Sequence, residues 1–148
     1  MTDLQYMHLA IAQAQAAALR GEVPVGALVV LDDRILAAAG NRTITDCDAT
    51  AHAEIVALRE ASRKIGNHRL TGTSIFVTVE PCAMCAGALV QARVTRLVYG
   101  ADEPKGGAIR SCMQVLNAPA LNHRVEVVSG VLAAESVQLL QSFFAARR

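Results

Sequence analysis

The sequence predicts a single α/β domain over residues 1–148, a three-layer α/β/α sandwich around a five-stranded mixed sheet. Three observations predict it. Apolar runs of strand length alternate with stretches of helical periodicity. The connections between them are short and carry Gly or paired Asp at their turns. The 148 residues can bury one sizeable core and are too few for two ordinary domains.

Thr2 caps a first helix in which Leu4, Met7, Ile11, Ala14 and Ala18 recur at helical spacing, and Gly21 ends it. Val25 to Leu31 is a buried strand, Asp32-Asp33 its turn, and Ile35 to Ala39 the returning strand of a hairpin. Asn41 to Thr50 is a polar loop, and a second helix runs from about Ala51 to Ile65, stopped by Gly66. The β-branched run from Thr73 to Val79 is the third strand. Pro81 suits the first turn of a helix from Cys82 to Ala92, and Val94 to Tyr99 is the fourth strand. After a Gly-containing loop at 100–110, a short helix near Cys112 to Leu116 precedes a fifth strand from Val125 to Val128. Leu132 to Ala146 closes the chain as a helix with Val137, Leu140 and Phe144 on one face.

No apolar run approaches the roughly 18 residues that span a bilayer. The start, Met1-Thr2-Asp3-Leu4-Gln5, lacks a basic segment followed by an apolar block. A cytoplasmic protein with no membrane partner is expected. Four cysteines in such a chain point to metal, catalysis or burial ahead of disulfides. The net charge is +1, but unevenly spread: residues 1–60 hold 4 basic and 8 acidic side chains, residues 61–148 hold 10 and 5. That asymmetry fits an anionic partner and equally fits a solvated basic surface.

The residues that carry chemistry are His52-Ala53-Glu54 and, beginning 27 positions after Glu54, Pro81-Cys82 with Cys85. Both groups fall at helix N-termini, where free N–H groups and the helix dipole favour thiolate over thiol. Two cysteines and a histidine are donors that zinc prefers, and three protein ligands leave the fourth tetrahedral position for water. One zinc per chain on His52, Cys82 and Cys85 makes a catalytic site, with Glu54 as the carboxylate that carries protons without ligating. Residues i and i+2 of a helix point apart, so His52 and Glu54 share one site only if His52 stands at the very start of the helix. Three other readings stay open: His52 as a simple cap, Cys82 and Cys85 as a redox dithiol, and a closed structural zinc site completed by Cys47, Cys112, His68 or His123.

His-x-Glu followed by Pro-Cys-x-x-Cys is the established signature of the zinc-dependent nucleoside and nucleobase deaminases. Beyond it, "GEVPVGALVV", Asn41-Arg42, "TAHAEIVALR", "VTVEPCAMCAGAL", "RVTRLVYGA", "NHRVEVVSGVL" and the closing Phe143-Phe144 with Arg147-Arg148 run nearly end to end. On these residues the chain resembles the bacterial tRNA adenosine deaminases that make inosine at the wobble position, in the cytidine and deoxycytidylate deaminase superfamily. The resemblance implies a cytidine-deaminase-like fold, a homodimer and the tRNA anticodon loop as partner. It further implies that Asn41 hydrogen-bonds the flipped-out base in a pocket walled by Val23, Pro24 and Val79. The N–H groups of Ala53 and Cys82 would face the base edge and the reacting centre. Phe144, with Phe143, would offer an aromatic face to a loop base while Arg147 and Arg148 meet phosphates; a core-facing Phe pair with a frayed basic tail is the other reading.

The chain departs from the family's usual Lys-x-Gly-Ala-x-Gly-Ser at Lys105 to Ser111, with Ile109 and Arg110 where small residues are expected. A side chain narrowing the entrance there would favour a free nucleobase or nucleoside, such as guanine, cytosine or adenosine, over RNA.

Overall fold

The computed structural model describes residues 1–148. Helix α1 (Asp3–Leu19) leads into the hairpin β1 (Gly26–Leu31) and β2 (Arg34–Gly40), followed by α2 (Ala53–Ile65), β3 (Ser74–Val79), α3 (Ala83–Gln91), β4 (Arg96–Ala101), β5 (Glu126–Val128) and α4 (Ala133–Ala145). The five strands form one sheet in the order β2-β1-β3-β4-β5. β1 pairs antiparallel with β2 and β3, while β3, β4 and β5 are parallel. The expected mixed sheet is therefore present.

Strand alternation decides the layers. Ala27, Val29, Ile75, Val77, Leu97 and Tyr99 face one side, where Ala53, Ala57 and Ala61 of α2 and Ala86, Leu89 and Val90 of α3 cover them. Leu28, Val30, Phe76 and Val98 face the other, where Tyr6, Met7 and Ala10 of α1 pack, with Leu132 at the start of α4 against them. Alanine on α1 lets that helix lie close to the sheet. At Gly26 a Cβ would overlap the Ala10 carbonyl oxygen and sit 2.6 Å from the Ala14 nitrogen.

Several boundaries and faces differ from the sequence expectation, each for a local reason. On α1 the buried stripe includes Tyr6 and Ala10, while Leu4 is half exposed. Helix α2 starts at Ala53, not Ala51, because the Ala51 N–H donates to the Asp48 carbonyl and its own carbonyl accepts from Arg42. Pro81 lies outside α3, whose N-cap is Cys82. Arg93 takes a left-handed φ of 61° after α3, which delays β4 to Arg96. The short helix near Cys112 is instead a single 3-10 turn, Val115–Asn117, because the preceding N–H groups are occupied: those of Arg110 and Ser111 by Glu80, and that of Cys112 by the Gly107 carbonyl. On α4 the packed residues are Ser136 and Phe143, whereas Val137 and Phe144 face solvent. No helix is long and apolar enough to cross a membrane.

Candidate active site

β2 and β3 end at the same edge of the sheet, since both run antiparallel to β1 between them. The chain leaving each therefore delivers a helix N-terminus to one place, the carboxyl edge where α/β folds place ligand sites. His52 is the N-cap of α2, with extended φ, ψ of −66°, 154°, and Cys82 is the N-cap of α3, at −75°, 177°. Neither side chain caps its own helix. Both turn toward each other instead: His52 Nδ1 lies 3.6 Å from Cys82 Sγ and 3.5 Å from Cys85 Sγ. Because His52 precedes the first helical residue, Glu54 is free to point into the same site, buried at 4% exposure. The geometric condition for sharing the site is met.

The three donor atoms lie within 4.8 Å of one another and form a group able to hold a metal ion. A tetrahedral zinc, with Zn–S of about 2.3 Å and Zn–N of about 2.05 Å, separates a sulfur and a nitrogen ligand by about 3.6 Å. The observed separations fit it. The electrostatics point the same way. The Cys82 thiol is lowered to about 5, chiefly by the hydrogen bond with Cys85, helped by the backbone N–H groups of Cys85 and Met84 and by the His52 ring. Cys85 is pushed up, because its neighbour holds the charge and because it is buried. Burial likewise pushes the Glu54 carboxyl up. With the charge on Cys82, burial and repulsion oppose a second charge on Cys85 or Glu54, and a bound cation would offset that.

The closed structural zinc site loses its fourth ligand. Cys47 and Cys112 are exposed, with Cys112 Sγ donating to the Pro104 carbonyl at 2.9 Å. His123 Nε2 lies 2.6 Å from the Val94 carbonyl, and His68 lines a separate depression of about 630 Å³ between α2 and α3 with Arg59 and Arg63. None of the four joins the cluster.

Beside the donors is a cavity of about 140 Å³ lined by Val25, Asn41, His52, Glu54, Val79, Glu80 and Cys82. Of the expected walls, Val79 lines it. Val23 and Pro24 do not; Val25 takes their place, and the Val23 carbonyl accepts from Asn41 Nδ2 at 3.2 Å. Asn41 Oδ1 accepts from the Ala53 N–H at 2.8 Å, so that N–H is already engaged within the protein. Two hydrogen-bonding positions of Asn41, one donor and one acceptor, remain free.

Farther out, Phe144 is 46% exposed and shares an open groove of about 610 Å³ with Glu103, Pro104, Lys105 and Gly106. Phe143 is buried, and the Arg147 guanidinium lies 3.4 Å above its ring while donating to its carbonyl at 3.2 Å. Of the tail pair, only Arg148 is uncommitted to such a contact. The departures at 109 and 110 do not narrow the cavity. Ile109 is buried in the core, and Arg110 is ion-paired with Asp102 at 2.8 Å on the surface.

Sequence reasoning missed Glu80. It is 4% exposed and lines the cavity, and its oxygens accept N–H groups of Glu103, Ile109, Arg110 and Ser111. Burial alone would raise its carboxyl, but these donors and the Ser111 hydroxyl hold it at about 2. The available signal was a lone carboxylate at the end of an apolar strand.

Over residues 1–148 the sequence matches the MafB19-like deaminase family. It is 46% identical over 143 residues to a tRNA-specific adenosine deaminase of Agrobacterium fabrum, covering 97% of this chain and 94% of that protein. It is 45% identical over 142 residues to one from Bacillus subtilis, covering 96% and 88%. A solved structure from a study of A-to-I editing by tRNA:A34 deaminases at the wobble position of transfer RNA matches with a TM-score of 0.90 at 46% identity, covering 92% of this chain and 99% of that one. A guanine deaminase from Nitrosomonas europaea matches at 24% identity and a TM-score of 0.83, covering 96% and 84%, and shares the fold alone. The chain belongs to the MafB19-like deaminase family and to the tRNA-specific adenosine deaminases.

Proposed function

We propose that this chain hydrolyses adenosine to inosine in tRNA, at the wobble position of the anticodon, releasing ammonia. The observation that carries the reading is the meeting of His52, Cys82 and Cys85 with a buried carboxylate, Glu54, that is not one of the three donors. A purely structural metal site has no use for such a proton carrier.

Zinc held by His52, Cys82 and Cys85, one per chain, would supply a water activated for attack at neutral pH. Glu54 would take one proton from the attacking water and pass it to the ring nitrogen, then take the second from the hydroxyl added at C6 and pass it to the departing amine, so that ammonia leaves as the C6 carbonyl forms. Its raised pKa suits a carboxyl that is alternately protonated and ionised. Val25 and Val79 offer apolar walls to the base. Asn41 keeps both internal bonds and still presents one donor and one acceptor to the base edge. The Cys82 N–H, at the start of α3, faces the reacting centre.

The polynucleotide part rests on the relatives and on the groove between Phe144 and residues 103–106, where Lys105 adds positive charge. Phe144 stacks a loop base there while Arg148, and Arg147 beyond its contact with Phe143, meet flanking phosphates. Residues 1–148 act as one deaminase domain, in the cytoplasm where tRNA is processed, and as a homodimer. The free-base alternative loses its support, since Ile109 and Arg110 lie away from the cavity.

The test compares kcat/KM on an anticodon stem-loop carrying wobble adenosine with that on adenosine, guanine and cytosine. The stem-loop should be preferred by at least about a hundredfold, the equivalent of about 2.7 kcal/mol of added transition-state binding. Efficient deamination of guanine or cytosine with no turnover of the stem-loop would replace the reading by the free-base one.

A further inference from the structure

The proton chemistry uses Glu54 and leaves the site's second buried carboxylate without a task. Glu80 Oε1 accepts from the Glu103 N–H at 3.0 Å and from the Ser111 hydroxyl. Its Oε2 accepts from the N–H groups of Ile109 at 3.0 Å, Arg110 at 2.8 Å and Ser111 at 3.0 Å. Every one of these donors belongs to a single segment, residues 103–111, which contains no helix or strand. A carboxylate has about four lone-pair positions, so Glu80 is saturated and has nothing left to offer a substrate.

The segment is fitted to this carboxylate. Gly107 lies against it, and a Cβ there would overlap Glu80 Cδ and stand 2.6 Å from the Glu103 carbonyl oxygen. The Ala108 N–H donates to the Pro81 carbonyl at 2.8 Å, tying the same loop to the residue before Cys82. The loop's outer part, Glu103 to Gly106, walls the groove with Phe144, while Glu80 itself lines the inner cavity with Glu54 and Cys82. One side chain thus couples the outer groove to the reaction cavity. Burying an ionised carboxylate is costly unless its lone pairs are met, and charge-assisted N–H bonds are the strong ones. Any movement of the loop away from Glu80 would break several of these bonds at once.

We propose that Glu80 is a positioning residue that sets the conformation of loop 103–111, and through it the fit of the nucleotides flanking the reacting base. The inference rests on the polynucleotide reading given above. Glu80 acts on the recognition of RNA through the loop and touches neither metal nor proton.

The experiment uses Glu80→Gln in the zinc-loaded protein. Two readouts are taken: amide hydrogen exchange at Glu103, Ile109, Arg110 and Ser111 without RNA, and steady-state kinetics on the stem-loop. Exchange at these four amides should rise about tenfold or more while that of α1 stays unchanged, because more than one charge-assisted bond is lost. KM for the stem-loop should rise about tenfold, by more than kcat falls, with one zinc per chain retained. Glu80→Asp, which keeps the charge on a shorter stem, should restore part of the exchange protection. Gly107→Ala keeps every polar group and crowds the carboxylate, so it should give the same KM-dominated loss even if Glu80→Gln fails to fold. Unchanged exchange at the four amides, or a fall in kcat with KM unaltered in both Glu80→Gln and Gly107→Ala, overturns the proposal. Wild-type protein inactive on the stem-loop sinks the polynucleotide reading instead, and the exchange data, taken without RNA, still decide whether Glu80 holds the loop.

Discussion

Replacing Asn41 with alanine separates the base contact that the resemblance implies from the support of α2 seen in the structure. His52 stands at the N-cap of α2 but spends its ring nitrogen on the sulfurs, so the first N–H of that helix, on fully buried Ala53, needs a partner from elsewhere. Asn41 Oδ1 is that partner at 2.8 Å, and Asn41 Nδ2 holds the Val23 carbonyl at 3.2 Å. Asn41→Ala removes a cap, worth about 1 kcal/mol, and strands a buried N–H, worth about 1–3 kcal/mol, with overlap between the two. A net loss of about 2 kcal/mol follows, or about 4–8 °C in Tm for a domain of this size. Urea unfolding of the metal-saturated protein reads it directly. Asn41→Asp, which still accepts from Ala53 but cannot donate to Val23, should lose about half as much. Since Glu54 follows Ala53 directly, kcat should fall together with stability. An Asn41→Ala protein with an unchanged unfolding midpoint and only a raised KM would mean that Asn41 serves the base alone and that α2 is held by something else.

Glu54→Gln should keep zinc and fold while losing about a hundredfold to ten-thousandfold in turnover, because the amide cannot carry a proton; a variant with more than a tenth of wild-type activity refutes the role. Cys85→Ala should lose metal and cooperative unfolding together, since His52 and Cys82 alone cannot complete the site; full zinc occupancy by elemental analysis would contradict the ligand assignment. Arg148→Ala should lower the salt slope of stem-loop binding by up to about 0.7 for one single-strand phosphate contact. Arg147→Ala should in addition lower Tm, because its guanidinium stacks on Phe143. Equal slopes for wild type and Arg148→Ala would remove the tail from recognition.

The donors were legible in the sequence because the requirement for them is local. A Pro-Cys-x-x-Cys run and a His-x-Glu, each at a helix start, carry both the chemistry and the backbone geometry that exposes it. The strand pattern was legible for the same reason, as alternation sends Leu28 and Val29 to opposite layers whatever else happens. What escaped depends on contacts between distant segments. Which of Val23, Pro24 and Val25 reaches the cavity is set by how the chain enters β1, and only Val25 does. Ile109 was expected at the substrate entrance, yet its loop is wound around Glu80, which sends its side chain into the core. The same winding replaces the helix expected at Cys112 with a turn. On α4, Val137, Leu140 and Phe144 form an apolar stripe by spacing, but the helix buries Ser136 and Phe143 instead and leaves Phe144 facing the groove.

In the proposed function, the pocket beside His52, Cys82 and Cys85 deaminates one adenosine in a folded tRNA. Sequencing of a mixed tRNA pool after incubation with purified, zinc-loaded protein tests it most directly, because inosine is copied as guanosine and marks every edited position. Conversion should be confined to wobble adenosines and abolished in a parallel Glu54→Gln sample. Conversion at scattered adenosines, or none in a pool where the same preparation deaminates a free base, would contradict it.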